Sequence, residues 1–207
     1  MLADLTVKDF LAKTAGNEPV PGGGSVSALN GAVAAALGQM VANLTISRKK
    51  YADVEEEMRG IASTLEQARD RLTRLIDKDS DAYNEVFEAY KLPKETDEQK
   101  AARAGVIQEA TKRAALVPLE VAEVVAGIMP SIEQVELKGN QNAVTDAGVA
   151  MMTARTAVLG ALLNVRVNLS GIDDAAFVEN LEVRIEELAR KVIDLEEKVI
   201  TEINNKL

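Results

Sequence analysis

The segment Asp77-Lys78-Asp79-Ser80-Asp81-Ala82-Tyr83 holds three carboxylates at alternate positions, and they are not equivalent. Upstream, Ile61, Leu65, Ala68, Leu72 and Leu75 recur at spacings of four and three, the mark of one buried helix face. The next positions on that face are Asp79, Ala82 and Val86. Asp79 therefore stands where the pattern asks for a hydrophobe. Such a carboxylate must pair with a cation, accept a ligand donor, or hold its proton at a raised pKa. A buried salt bridge and a tuned general acid or base are both open readings. Asp77 and Asp81 fall off the stripe and read as solvated acids.

The rest of the inventory narrows the chemistry. The chain contains neither histidine nor cysteine, so a Ser-His pair, a thiol nucleophile, a zinc site and a disulfide framework are all excluded. Acid–base work falls to Asp, Glu, Lys, Tyr or Arg. No motif supports a metal site or a bound cofactor.

Three polar clusters accompany Asp79. Gly22, Gly23, Gly24 and Ser25 precede a helix of small residues, where free backbone N–H groups and the positive dipole end collect. They permit close approach of a ligand or tight entry into a crowded helix. Gly31, Ala35, Gly38 and Ala42 continue that small-residue face. Arg48, Lys49 and Lys50 follow the same helix, as a C-terminal charge group or as a site for a carboxylated ligand. Asn140, Asn142 and Asp146 lie in a turn rich in amides, suited to a heterocycle or simply to solvent. A stripe of Ala143, Ala147, Ala150, Ala154, Ala157 and Ala161 then continues into Asn164 and Asn168, two amides that if buried need partners from neighbouring helices or from a polar ligand, and Asn164 is taken as a candidate substrate contact.

The elements that must position these residues are helices. Strand alternation is nearly absent. Periodicity predicts helices near 6–15, 24–46, 53–91, 96–129, 141–169 and 174–205. Pro93 ends the third, and Thr96 with Gln99 forms a capping box for the fourth. Pro118 predicts a kink or restart, and Pro130 closes that segment. Gly139–Asn140 makes a turn, Gly171 ends the fifth helix, and Asp173 or Asp174 caps the last. In that last helix Leu181, Ile185, Leu188, Val192, Leu195 and Val199 form a stripe for packing within the bundle or between subunits.

The reading is a single all-α domain over residues 1–207, an antiparallel bundle of long helices. A hydrophobic content of 47% supports a real core, and an aromatic content of 3% makes it aliphatic. The net charge of −9 argues against a nucleic-acid groove. Residues 22–46 are the one transmembrane suspect, but Ser25, Ser27, Asn30, Gln39 and Asn43 ring that helix and point to burial in protein. No membrane partner is expected. The start, MLADLTVKDF, has no basic region followed by an apolar run, so the expected location is cytoplasmic.

Taken in order, PVPGGGSVSA, NLTISRKKY, DKDSDAY, LPKETDEQKAAR, KGNQNAVTDAGVA and GALLNVRVNL resemble the cyclodeaminase/cyclohydrolase family of tetrahydrofolate enzymes. NLTISRKKY and LPKETDEQKAAR are more similar to its stand-alone methenyltetrahydrofolate cyclohydrolase branch than to cyclodeaminase domains. The resemblance implies an all-α homodimer with a folate cleft near the subunit interface. It also implies a tetrahydrofolate derivative as substrate, no metal, and a catalytic aspartate in the D-x-D-x-x-A-[FY] segment, matched to Asp79. With that substrate, Arg48, Lys49 and Lys50 are expected to draw the glutamate tail. Asn140, Asn142 and Asp146 are expected to hold the pterin, with Gly22 to Gly24 against the planar ligand. The alternatives are a formiminotetrahydrofolate cyclodeaminase and a non-enzymatic helical dimerisation module.

Overall fold

The computed structural model describes all 207 residues, and none forms a strand. Six helices follow in order: α1 (Val7–Thr14), α2 (Gly23–Thr45), α3 (Glu55–Tyr90), α4 (Asp97–Lys138), α5 (Val144–Leu169) and α6 (Ala175–Lys206). Short 3-10 turns cover Leu2–Asp4, Lys49–Val54 and Gln141–Ala143. Helices α2, α3, α4 and α5 pack in a closed ring, and α6 lies outside against α5 and α4.

Small residues set how closely the ring closes. Along the α2–α3 contact, Gly38 faces Leu65, Gly31 faces Leu72 and Gly24 faces Asp79. The pairing is antiparallel and steps by one heptad. Helix α5 also runs antiparallel to α2: Gly23 lies against Asn164 and Ser27 against Gly160. The six alanines of the α5 stripe are all buried, which lets backbones approach closely. In α6, Leu181, Ile185, Val192 and Val199 are buried, while Leu188 and Leu195 pack against the same core. That stripe is used within the chain.

Helix ends obey local rules. Thr96 accepts from the Gln99 backbone, and the Gln99 side chain accepts from the Thr96 backbone, completing the capping box. Asp174 caps α6 through the Phe177 N–H, which settles the choice between it and Asp173.

Neither proline ends its helix: there is no restart at Pro118 and no close at Pro130. Helix α4 continues through both Pro118 and Pro130 to Lys138. Each proline forfeits a backbone hydrogen bond. At Pro118 the orphaned acceptor is the Ala114 carbonyl, and the Asn168 side-chain amide donates to it at 3.3 Å. Packing against α2, α3, α5 and α6 supports the rest of the helix across both prolines.

Asp77 also departs from its reading. It is half-buried and accepts from the backbone N–H groups of Leu2 (2.5 Å) and Ala3 (3.2 Å), anchoring the N-terminal turn. Three helices rather than one, α2, α4 and α5, are long and apolar enough to cross a membrane. Half or more of each apolar stretch is buried against other helices. Finally, Glu136 is fully buried and pairs with Lys206 at 2.5 Å, tying the end of α6 to α4.

Candidate active site

Helix α2 begins without a side-chain cap: Gly22 occupies the cap position and has no side chain to offer. The opening turn therefore presents unsatisfied backbone N–H groups. Asp79, arriving from α3, fills that role from across the contact. Its Oδ2 accepts from the Ser25 hydroxyl at 3.0 Å, and the Ser25 backbone N–H faces the same carboxylate. The Ser25 hydroxyl also lies 2.9 Å from the Ile76 carbonyl and 3.1 Å from the Ser80 hydroxyl. One hydroxyl proton serves both Ile76 and Asp79, so the hydrogen bond to the carboxylate is only part-time.

The approach of the two helices requires glycine at position 24. A methyl group there would overlap the Asp79 carboxylate. At position 23, an added methyl would come within 2.9 Å of the Asn164 amide nitrogen. The glycine run thus seats one polar side chain on each side of the α2 terminus.

Asp79 makes no salt bridge. Burial pushes its carboxyl above the ordinary value of 3.8, and the two Ser25 donors offset only part of that push. The ion-pair reading of this residue fails: its carboxyl is sheltered, its pKa is raised by burial, and its hydrogen-bond partner is Ser25.

These residues border one cleft of about 340 Å³. Pro19, Val20 and the three glycines form one wall, with Asp79, Tyr83 and Val86 of α3 opposite. Ala114 of α4 and Asn164, Val167 and Asn168 of α5 complete it. The size falls in the range of small-molecule sites. Asn164 donates to the Gly160 carbonyl at 2.8 Å, and Asn168 donates to the carbonyls of Asn164 and Ala114. Both side-chain oxygens accept nothing from the protein, so they remain acceptors for a ligand with N–H groups.

The other sequence-selected residues gather elsewhere. Asn140 is buried and donates to the Leu44 carbonyl, while its backbone N–H donates to Thr45. Its side-chain oxygen accepts from the Asn142 N–H. Asn140 thus locks the α4–α5 turn onto the end of α2. Arg48, Lys49 and Lys50 are exposed beside it, Asn142 is exposed and Asp146 half-buried. This second cluster sits at the opposite end of α2, about 33 Å from Gly23 along the helix axis. Within one chain the two groups do not form one site.

Sequence reasoning missed Pro19, Val20, Tyr83, Val86, Ala114 and Val167 as cleft residues. Tyr83 and Val86 follow Asp79 at four and seven residues, on the same helix face, and that spacing is a usable signal. Ala114 and Val167 carry no signal of their own.

The family model for formiminotransferase-cyclodeaminase matches residues 6–187. The chain belongs to the formiminotransferase-cyclodeaminase family. Membership takes in every stretch on which the resemblance rests. The chain is 42% identical, over its full length and the full length of that protein, to the methenyltetrahydrofolate cyclohydrolase of Methylorubrum extorquens. It is 35% identical over 190 residues to the formimidoyltransferase-cyclodeaminase of Mus musculus, a match that takes in 92% of the chain and 35% of that longer protein. Its fold is similar to the solved structure of formiminotetrahydrofolate cyclodeaminase from Thermotoga maritima, with a TM-score of 0.89 and 33% identity. That match covers 99% of this chain and 98% of that one.

Proposed function

We propose that this family member is an enzyme that hydrolyses 5,10-methenyltetrahydrofolate to formyltetrahydrofolate, with Asp79 as the proton carrier. The observation that carries the chemistry is a carboxyl sheltered in the cleft, held above its ordinary pKa and free of any cation. Full-length identity to a stand-alone cyclohydrolase supports the choice of substrate.

The reaction follows from that placement. The methenyl carbon bridges N5 and N10 and carries positive charge. Water attacks it, and Asp79 accepts one water proton, leaving a neutral carbinol between the two nitrogens. One C–N bond then breaks, its electron pair goes to the departing nitrogen, and Asp79 returns its proton there. The carbinol hydroxyl becomes the formyl carbonyl and releases its proton to solvent. Water is consumed and one proton is released. The ionised carboxylate also complements the cation before attack. The oxygens of Asn164 and Asn168 are placed to accept from the pterin N–H groups.

A cyclodeaminase is the second reading, favoured by the likeness to the Thermotoga maritima enzyme. There N10 would attack a formimino carbon and ammonia would leave after protonation by the same carboxyl. Two assays separate the readings: loss of methenyltetrahydrofolate absorbance, and ammonia release from formiminotetrahydrofolate. The proposal expects rapid loss of absorbance with little ammonia. Ammonia release as the dominant activity would reverse the assignment.

In this reading the protein works as a homodimer. Between Glu18 and Arg48 no residue is ionisable, yet Val33, Met40 and Leu44 on α2 are exposed, as are Val149 and Met152 on α5. An uncharged apolar face of this kind is suited to a second copy. Light scattering should give twice the chain mass of 22.2 kDa, and a monomer in solution would reject it.

A further inference from the structure

The chain has only six aromatic residues, three Tyr and three Phe. Half of them sit on one stripe of α3 and are turned outward: Tyr83 is 42% exposed, Phe87 51% and Tyr90 56%. An aliphatic protein with so few rings gains nothing in its core from this arrangement. The stripe starts in the cleft, where Tyr83 lies one turn beyond Asp79. It ends at Tyr90, about 17 Å further along the helix than Asp79.

Cations stand at the far end. Lys91 lies over the Phe87 ring at 4.3 Å from its centroid, although Glu88 also holds it at 2.6 Å. Arg103, reaching back from α4, lies 5.5 Å from the Tyr90 ring centroid. Its Nη2 and Nε donate to the Tyr90 carbonyl at 2.9 and 3.3 Å. Arg103 makes no ion pair, so its fixed guanidinium keeps donors available for a carboxylate.

Resting on the function proposed above, we infer that this stripe carries the substrate's tail. The p-aminobenzoyl ring lies along the aromatic side chains, and Arg103 receives a carboxylate beyond the first glutamate. The order of groups on the protein, proton carrier then rings then cation, matches the order on an oligoglutamyl folate. Arg103 lies over Tyr90, about 17 Å further along α3 than Asp79, and in this inference that length selects for a tail longer than one glutamate. Arg48, Lys49 and Lys50 cannot serve this tail from the same chain, since they lie at the other end of α2.

The test compares KM for mono- and triglutamyl methenyltetrahydrofolate. Wild type should favour the triglutamate. Arg103→Glu should raise KM for the triglutamate about tenfold and erase the preference, as expected for replacing one ion pair with repulsion. Arg103→Lys should restore part of it. Lys100→Ala, an exposed neighbour paired with Asp97, should keep the wild-type ratio. Phe87→Ser should weaken both substrates. An unchanged ratio in Arg103→Glu overturns the inference. So does a ratio lost only when Arg48, Lys49 and Lys50 are all changed to Gln, which would place the tail against a second copy. Equilibrium dialysis with mono- and triglutamyl tetrahydrofolate separates this from the reaction itself. Tail-dependent binding lost in Arg103→Glu, without turnover by wild type, upholds the stripe and overturns the cyclohydrolase assignment. Binding without tail preference overturns the stripe.

Discussion

Asp79 meets Gly24 at the same heptad register at which Leu72 meets Gly31 and Leu65 meets Gly38. The carboxylate occupies a leucine position in a repeating helix contact. Two of the three contacts bury apolar side chains in the core. The third places a titratable group under the uncapped end of α2 and opens on the cleft.

Asp79→Asn keeps the shape of the side chain and removes its proton exchange. Turnover should fall by about 100-fold or more, the scale of acid–base assistance. Stability should move the other way. With its folded-state pKa raised, the native protein holds a proton that the unfolded chain has released, so stability declines as pH rises through the native pKa. Above that window the variant should melt at a higher temperature than wild type, and the difference should vanish below the ordinary carboxyl range. Thermal melts at several pH values, run beside the kinetics, check both halves.

The acid limb of the kcat profile should lie above the ordinary carboxylate value of 3.8, since the ionised form must accept the water proton. Ser25→Ala removes one of the two interactions that favour ionisation, so its acid limb should move to still higher pH. A limb that stays in place would show that another group controls the rate.

Gly24→Ala should be harsh despite its size. The added methyl must displace the Asp79 carboxylate or part α2 from α3, at a cost of about 1–3 kcal/mol. Gly60→Ala is the control, because a methyl there meets nothing within 4 Å. Denaturant melts and turnover together should separate the two variants.

Lys206→Met should destabilise the protein by about 1–3 kcal/mol by leaving the buried Glu136 carboxylate without its cation, discounted because Lys206 itself is partly exposed. Glu136→Gln combined with Lys206→Met should recover part of that loss. Additive losses in the double variant would argue that the pair is not coupled.

What the sequence disclosed follows from the range of the forces involved. The Thr96–Gln99 box and the Asp174 cap depend on neighbours within one turn, so they were legible. Asp79 was legible because a helix face repeats locally and a carboxylate breaks it. That the helix would run on through Pro118 was not legible, because its compensation comes from Asn168, fifty residues away in sequence. Asp77 was misread for the same reason, its partners being Leu2 and Ala3. That Asn140 and Gly22 lie at opposite ends of α2 within one chain was not legible, because composition does not say which end of a helix a turn will meet. Only the antiparallel run of α2 against α5 decides that.

The gap that Pro118 leaves in α4 has a mechanical result. The Ala114 oxygen has no donor in its own helix, and Asn168 supplies one from α5. Sliding either helix along the other would strand that oxygen away from water. The two are therefore hitched where both line the cleft, and that braced wall stands opposite the bank where α3 carries Asp79 and Tyr83.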